Sequence, residues 1–184
     1  MKPYVRPFQK DVYDEVDTPS KQALIKVLLA EGHEIVSSKE DYYADVVSQK
    51  GGVTYYHEAE RKAQWGQDYL KNKNYDVLPD SGWPPSWEEV RIPGRKKRLI
   101  NKYKDQIENL FFYVFNFEYD KAWKIKATQM TDDVNHRPDF ARVHKSETFY
   151  HIPYKEAELV TIWNAKTAVF FLMMMVTVES ATGI

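Results

Sequence analysis

The stretch Tyr55 to Trp65, YYHEAERKAQW, decides how this chain is read, because Glu58, Glu60 and Lys62 stand at every second position of a strand-like segment. A β-strand sends alternate side chains to opposite faces, so these three share one face with Tyr56 and Thr54. Two carboxylates held that close repel each other unless a cation, a proton or a neighbouring ammonium compensates them. The chain must supply that compensation or bind it.

The flanking residues set the topology. In Gln49-Lys50-Gly51-Gly52 the glycines tolerate the positive φ of a tight turn, which predicts a hairpin between Tyr42–Ser48 and Val53 to about Lys62. A loop of two or four residues, with 48 opposite 53 and Asp45 opposite Tyr56, puts Asp45 on the carboxylate face diagonally beside Glu58. A three-residue loop puts it on the other face. Upstream, TPSKQALIKVLLAEG predicts a helix with Thr18 as N-cap, Pro19 in the first turn and Gly32 at the C-terminal cap. Its apolar face is Ala23, Leu24, Val27 and Leu28, widened by Ile25 and Leu29. A short strand is expected over His33 to Ser37.

Downstream, Gln67 to Trp87 is rich in Asn, Asp, Gly and Pro and reads as an irregular excursion. Leu99, Ile100, Tyr103 and Ile107 fall at helical spacing and predict an amphipathic helix from Arg95 to Asn109. LFFYVFNFEY, from Leu110, is apolar enough for a central strand, and KAWKIKATQM is its partner beyond the Tyr119-Asp120 turn. A strand near Thr148 to Ile152, an element near Ala157 to Trp163 and an apolar run from Ala168 to Val178 complete the chain. Strands interleaved with two helices indicate an α/β or α+β protein.

Composition narrows the classes. With 184 residues, 43% hydrophobic and 15% aromatic, the chain suits a single domain, 1–184, with a full core. It has no cysteine, which excludes disulfides, thiolate metal sites and a Cys nucleophile and is compatible with a reducing, cytoplasmic location. The N-terminal residues lack the apolar stretch of a secretion signal, and the longest apolar run falls short of the roughly 20 residues that span a membrane, so no membrane partner is expected. A net charge of −1 makes no global case for a polyanionic partner, but the charge is segregated. Acids dominate from Asp11 to Glu60, whereas RIPGRKKRLINKYK, from Arg91 to Lys104, contains no acid. No GxxxxGK[ST], GxGxxG, GxSxG or HExxH pattern occurs, and none of the five histidines is assigned to a metal.

Asp45, Glu58 and Glu60 on adjacent strands would offer hard oxygen ligands, which suit Mg²⁺ or Mn²⁺. Lys62, further along the same face, would compensate the carboxylates or orient an attacking water. The basic helix start, with Arg95, Lys96, Lys97, Arg98 and Lys102, fits phosphate contacts beside such a site. Trp83 and Trp87 would line a nucleic-acid channel or, as the heavier expectation, anchor the core and loops.

A first helix, then Asp45 on one hairpin strand and Glu58-Ala59-Glu60 on the next, then a helix and an aromatic strand, resembles the PD-(D/E)xK nuclease superfamily in a Glu-x-Glu variant. The resemblance covers about 18–119 and leaves 131–184 unassigned. It implies a restriction-endonuclease-like αβββαβ core with a mixed central sheet flanked by helices. It also implies a divalent-metal-dependent endonuclease acting on DNA, with RNA open, in phage or bacterial DNA processing, and a homodimer whose interface is the apolar C-terminal run. Asp45 matches the acid of the first motif strand, Glu58 the (D/E), and Glu60 the lysine position; Ala44 stands where the motif has proline. In a second register Glu60-Arg61-Lys62 is the ExK element. Two further expectations belong to other classes: a nucleic-acid-binding protein without turnover, and an interaction module built on Leu110 to Tyr119.

Overall fold

In the computed structural model, which describes residues 10–38, 43–66, 71, 81–84, 86–138 and 147–162, the hairpin turn is the two residues Gly51 and Gly52. Both lie at positive φ, 57° and 78°, as a primed two-residue turn demands. In chain order the elements are α1 (Lys10–Ala30), β1 (Glu34–Ser37), β2 (Val46–Lys50), β3 (Val53–Arg61), β4 (Glu89–Pro93), α2 (Lys97–Lys102), β5 (Leu110–Phe115), β6 (Lys121–Lys126), β7 (Asn135–His136), β8 (Phe149–Pro153) and β9 (Glu158–Thr161). Lys50 pairs with Val53 and Val46 with His57, so Asp45 comes opposite Glu58 and not Tyr56. The expected register is thus displaced by two residues, and an even displacement leaves every side chain on its expected face.

Six strands form one mixed sheet in the order β1-β2-β3-β5-β6-β9, antiparallel except for β3 with β5. Parallel neighbours need a crossover, and the segment between β3 and β5 supplies it with α2 on one face of the sheet. The helix-strand-strand-strand-helix-strand order expected from the sequence is present, with β4 inserted before its second helix. β4, β8 and β7 make a separate three-stranded antiparallel sheet, which sequence reasoning did not anticipate.

β5 explains its own composition. Leu110, Phe112 and Val114 enter one core with Trp65, Trp83, Leu99 and Trp123, while Tyr113 and Phe115 enter a second core under α1 with Leu24, Val27, Leu28 and Ala59. A strand buried on both faces reads as a continuous apolar run. The tryptophans Trp65, Trp83 and Trp123 are core residues, with rings 5.0 to 5.8 Å apart.

Two expected helices differ. α1 starts at Lys10 and runs through Pro19, so Thr18 is not its N-cap, and Leu29 is exposed instead of widening the apolar face. Its C-terminus is as expected: Gly32, at φ 81°, closes a Schellman motif in which the His33 N–H donates to Leu28 O (2.9 Å) and the Gly32 N–H to Leu29 O (3.1 Å). The helix predicted over 95–109 breaks into a 3₁₀ turn at Gly94–Lys96, α2, and a second 3₁₀ stretch at Lys104–Asn109 with Gln106 outside helical geometry. The excursion between 67 and 80 (except 71), Trp163 and the apolar run Ala168 to Val178 lie outside the described residues. Among the described residues no helix is long and apolar enough to cross a membrane.

Candidate functional site

β3 divides two polar environments. Its even-numbered residues Tyr56, Glu58 and Glu60 face away from α1, toward the segment that joins β4 to α2. Glu58 is only 3% exposed, and a buried carboxylate needs a partner. The partner is Lys96, whose ammonium bonds Glu58 Oε1 and lies 2.9 Å from Glu60 Oε1. Burial alone would lower the Lys96 pKa, but the carboxylates of Glu60 and Glu58, with Asp45 beyond them, outweigh it and hold the ammonium well above its ordinary value. The arrangement is therefore a buried cation enclosed by oxygen anions.

The backbone delivers Lys96 there through Pro93 and Gly94. The Gly94 N–H donates to Thr148 O (2.7 Å), and a Cβ at Gly94 would collide with the Thr148 side chain and backbone. Only glycine lets the chain turn this close to the residue before β8 and present Lys96 to β3. On the other side of the site Asp45 Oδ2 accepts the Ala59 N–H at 2.8 Å, which fixes the acid that leads into β2. Among the described residues Glu58 Oε2 is buried with no hydrogen-bond partner, which leaves one acceptor oxygen unused there.

The other expected residues are distributed unevenly. Lys62, beyond the end of β3, is not the ammonium that pairs with Glu58: its own lies 5.4 Å from the Trp87 ring centroid and feels Glu60 only electrostatically. Lys96, expected in the exposed basic group, is buried between the acids, because the 3₁₀ turn rotates it inward as it rotates Lys97 and Arg98 outward. Arg95 is exposed and reaches Glu60 at 3.6 Å. Lys97 pairs with Asp132 at 2.6 Å, and Lys102 lies over the Tyr43 ring. The structure thus brings Asp45, Glu58, Glu60, Arg95 and Lys96 together, whereas Lys62, Lys97 and Lys102 meet Trp87, Asp132 and Tyr43, and Arg98 is exposed. Nothing in the sequence singles out Lys96 from its basic neighbours; the 3₁₀ turn at Gly94–Lys96 does so in the fold.

The odd-numbered face of β3 carries a second polar group that sequence reasoning missed. Ser48 Oγ lies 2.8 Å from both His57 Nε2 and His33 Nδ1, and all three residues are buried. A hydroxyl donates once, so one imidazole donates to Ser48 and the other accepts from it. His57 Nδ1 has no partner, and a bare lone pair is less costly to bury there than an orphaned N–H. The network therefore runs from His57 Nε2–H to Ser48, and from the Ser48 hydroxyl to His33, whose Nε2 faces Glu31 at 3.9 Å. Burial, then His33 and Lys124, push the His57 pKa down to about 3, so the ring is neutral. His57 is packed, as its position opposite the carboxylate face predicts.

No protein-family model matches the chain, and no curated protein matches it. A solved structure of D212, a nuclease from a fusselovirus, is similar over 84% of this chain and 89% of its own, with 15% sequence identity and a TM-score of 0.40. At that score the two backbones agree only in outline.

Proposed function

We propose that this protein is a divalent-metal-dependent nuclease of the PD-(D/E)xK type, hydrolysing phosphodiester bonds in DNA at the face formed by Asp45, Glu58 and Glu60. The single observation that carries this reading is the convergence of Glu58 and Glu60 on one buried cationic centre, with Asp45 close enough to stabilise the same cation. A fold does not bury Glu58 beside a half-buried Glu60 without cause, since a buried ion costs several kcal/mol of desolvation.

The donor chemistry is the kind Mg²⁺ or Mn²⁺ takes, since all its atoms are carboxylate oxygens and among the described residues Glu58 Oε2 has no hydrogen-bond partner, but no three acids there close on one point while the Lys96 ammonium stands between them. Glu58, Glu60 and Asp45 would hold the ion. When bound, it supplies Lewis-acid polarisation of a phosphoryl oxygen and a more acidic water. Glu60, more accessible than Glu58, accepts a proton from the attacking water. Lys96 places positive charge where negative charge builds on the phosphoryl group, and Arg95, Lys97, Arg98 and Lys102 hold the flanking backbone. The Lys96 ammonium between the acids also favours a second reading, a nucleic-acid-binding protein whose charge-satisfied site does not turn over.

Nicking of supercoiled plasmid and of a labelled four-way junction, with Mg²⁺, Mn²⁺ or EDTA, tests the proposal. Cutting that needs metal and falls by about a hundredfold or more in folded Glu58→Gln and Asp45→Asn is the expected result. Cutting that persists in EDTA or in Glu58→Gln would overturn it, and salt-sensitive binding without cutting would select the second reading.

A further inference from the structure

The carboxylate face is already organised around a cation of the chain's own. Glu58 Oε1 and Glu60 Oε1 both turn to the Lys96 ammonium, the second at 2.9 Å, and Asp45 Oδ2 is committed to the Ala59 N–H at 2.8 Å. Glu58 Oε2, buried without a hydrogen-bond partner, is a single donor, and among the described residues no three carboxylates or imidazoles converge as a metal ion requires. Mg²⁺ takes its oxygens at about 2.0–2.1 Å in near-octahedral order. To gather these acids, a divalent ion must therefore draw them away from the ammonium or stand beside it. Standing beside it sets two cations a few ångströms apart in a nearly dry site, where like charges repel strongly.

Lys96 is placed to hold that position and able to leave it. The 3₁₀ turn Gly94–Lys96 sets its backbone, and the close approach of Gly94 to Thr148 fixes the turn. The ammonium, by contrast, rides on a four-carbon stem with rotatable bonds, so it can swing out while the turn stays where it is. Arg95, exposed at the rim, reaches Glu60 at 3.6 Å, which leaves Lys96 as the cation paired with Glu58. We infer that Lys96 is a tethered counter-ion that keeps the acids closed to a divalent ion, so that the ammonium and the metal hold Glu58 and Glu60 in turn and never together. The inference rests on the metal-dependent nuclease reading and deepens it: loading of the site is controlled from within the chain, by release of Lys96.

Binding of Mn²⁺ alone to the full chain without nucleic acid, followed by the paramagnetic resonance of free Mn²⁺ and by melting in circular dichroism, compares wild type, Lys96→Gln and Lys96→Gln with Glu58→Gln. Lys96→Gln is expected to bind Mn²⁺ at least about tenfold more tightly than wild type. Its Tm should rise with Mn²⁺ by about 5 °C or more, and that of wild type by less than about half as much. Adding Glu58→Gln should abolish the gain, which assigns the ion to these acids. Equal affinities in wild type and Lys96→Gln, no binding by either, or a gain that survives Glu58→Gln would each overturn the inference. If Lys96→Gln does not fold by itself, Mn²⁺ should restore its fold by supplying the missing charge, and a chain that Mn²⁺ leaves unfolded overturns the inference equally. Plasmid cutting by wild type, measured alongside, separates the two readings. Metal-dependent cutting with equal Mn²⁺ affinities removes this inference alone, and tighter binding by Lys96→Gln without any cutting by wild type removes the nuclease reading alone.

Discussion

The two faces of β3 solve one problem in opposite ways. Glu58 and His57 are neighbours in sequence and both essentially buried, yet one is ion-paired and the other is a neutral ring. On the Glu58 face an ammonium from another element arrives and pairs with two carboxylates. On the His57 face burial is reinforced by His33 and Lys124, which disfavour a positive ring, and the ring stays neutral within a chain of hydrogen bonds through Ser48. What a buried titratable group does is thus set by what the opposite element presents to it. On the proposed reading, the ion-paired face is the working one and the neutral face the structural one.

Removing one side of the buried ion pair should break the comparison most severely. Lys96→Met leaves Glu58 as an uncompensated buried carboxylate and should cost about 3–5 kcal/mol in urea unfolding. Adding Glu58→Gln to that variant should restore a large part of the loss, whereas an equal loss in the double variant would mean that Lys96 contributes packing and not charge.

The neutral face predicts a pH dependence. The folded-state pKa of His57 lies near 3, below its ordinary 6.5, so as pH falls the unfolded chain binds a proton that the folded one refuses. Its contribution is full above about pH 6.5 and is lost toward pH 3 at roughly 1.4 kcal/mol per pH unit. His33, lowered by burial and then by Lys50, acts in the same direction. Urea midpoints between pH 7 and 5, above most carboxylate titration, should fall for wild type and fall less steeply for His57→Gln. A pH-independent midpoint would mean that the ring accepts a proton in place.

Ser48→Ala removes the hydroxyl that both imidazoles use and should cost about 1–3 kcal/mol without affecting metal-dependent cutting. A loss of cutting as large as that of Glu58→Gln would show that the two faces are coupled through β3. The smallest expected effect is at the turn: Gly52→Ala, at φ 78°, should lower stability by about 1 kcal/mol while leaving the register unchanged.

Much of the sheet was legible because it rests on local rules. The Gly51-Gly52 turn, the period of two along β3, the doubly buried run of β5 and the Gly32 cap each follow from nearby residues, and each is found where those residues put it. α1 and α2 were less legible. Helical spacing did not reveal that the chain continues through Pro19, nor that Gln106 leaves helical geometry, because contacts outside each window decide both. β4 was hidden within a run read for its charge, although Val90 and Ile92 alternate with Glu89 and Arg91 as a strand requires.

The sequence by itself determined that Glu58 and Glu60 would share a face, since strand parity is local, while the two-residue Gly51-Gly52 turn of the folded hairpin decided that Asp45 joins them. The sequence also determined that something must compensate the two glutamates. Only the tertiary structure decided what does so. Lys62 is two residues from Glu60, yet Lys96, 38 positions from Glu58, takes the role. Side-chain reach is set by which segment the crossover lays against β3, and by a Pro93-Gly94 turn that can pass Thr148 because it has no Cβ in the way. That is a packing result between distant elements, and no spacing along the chain encodes it.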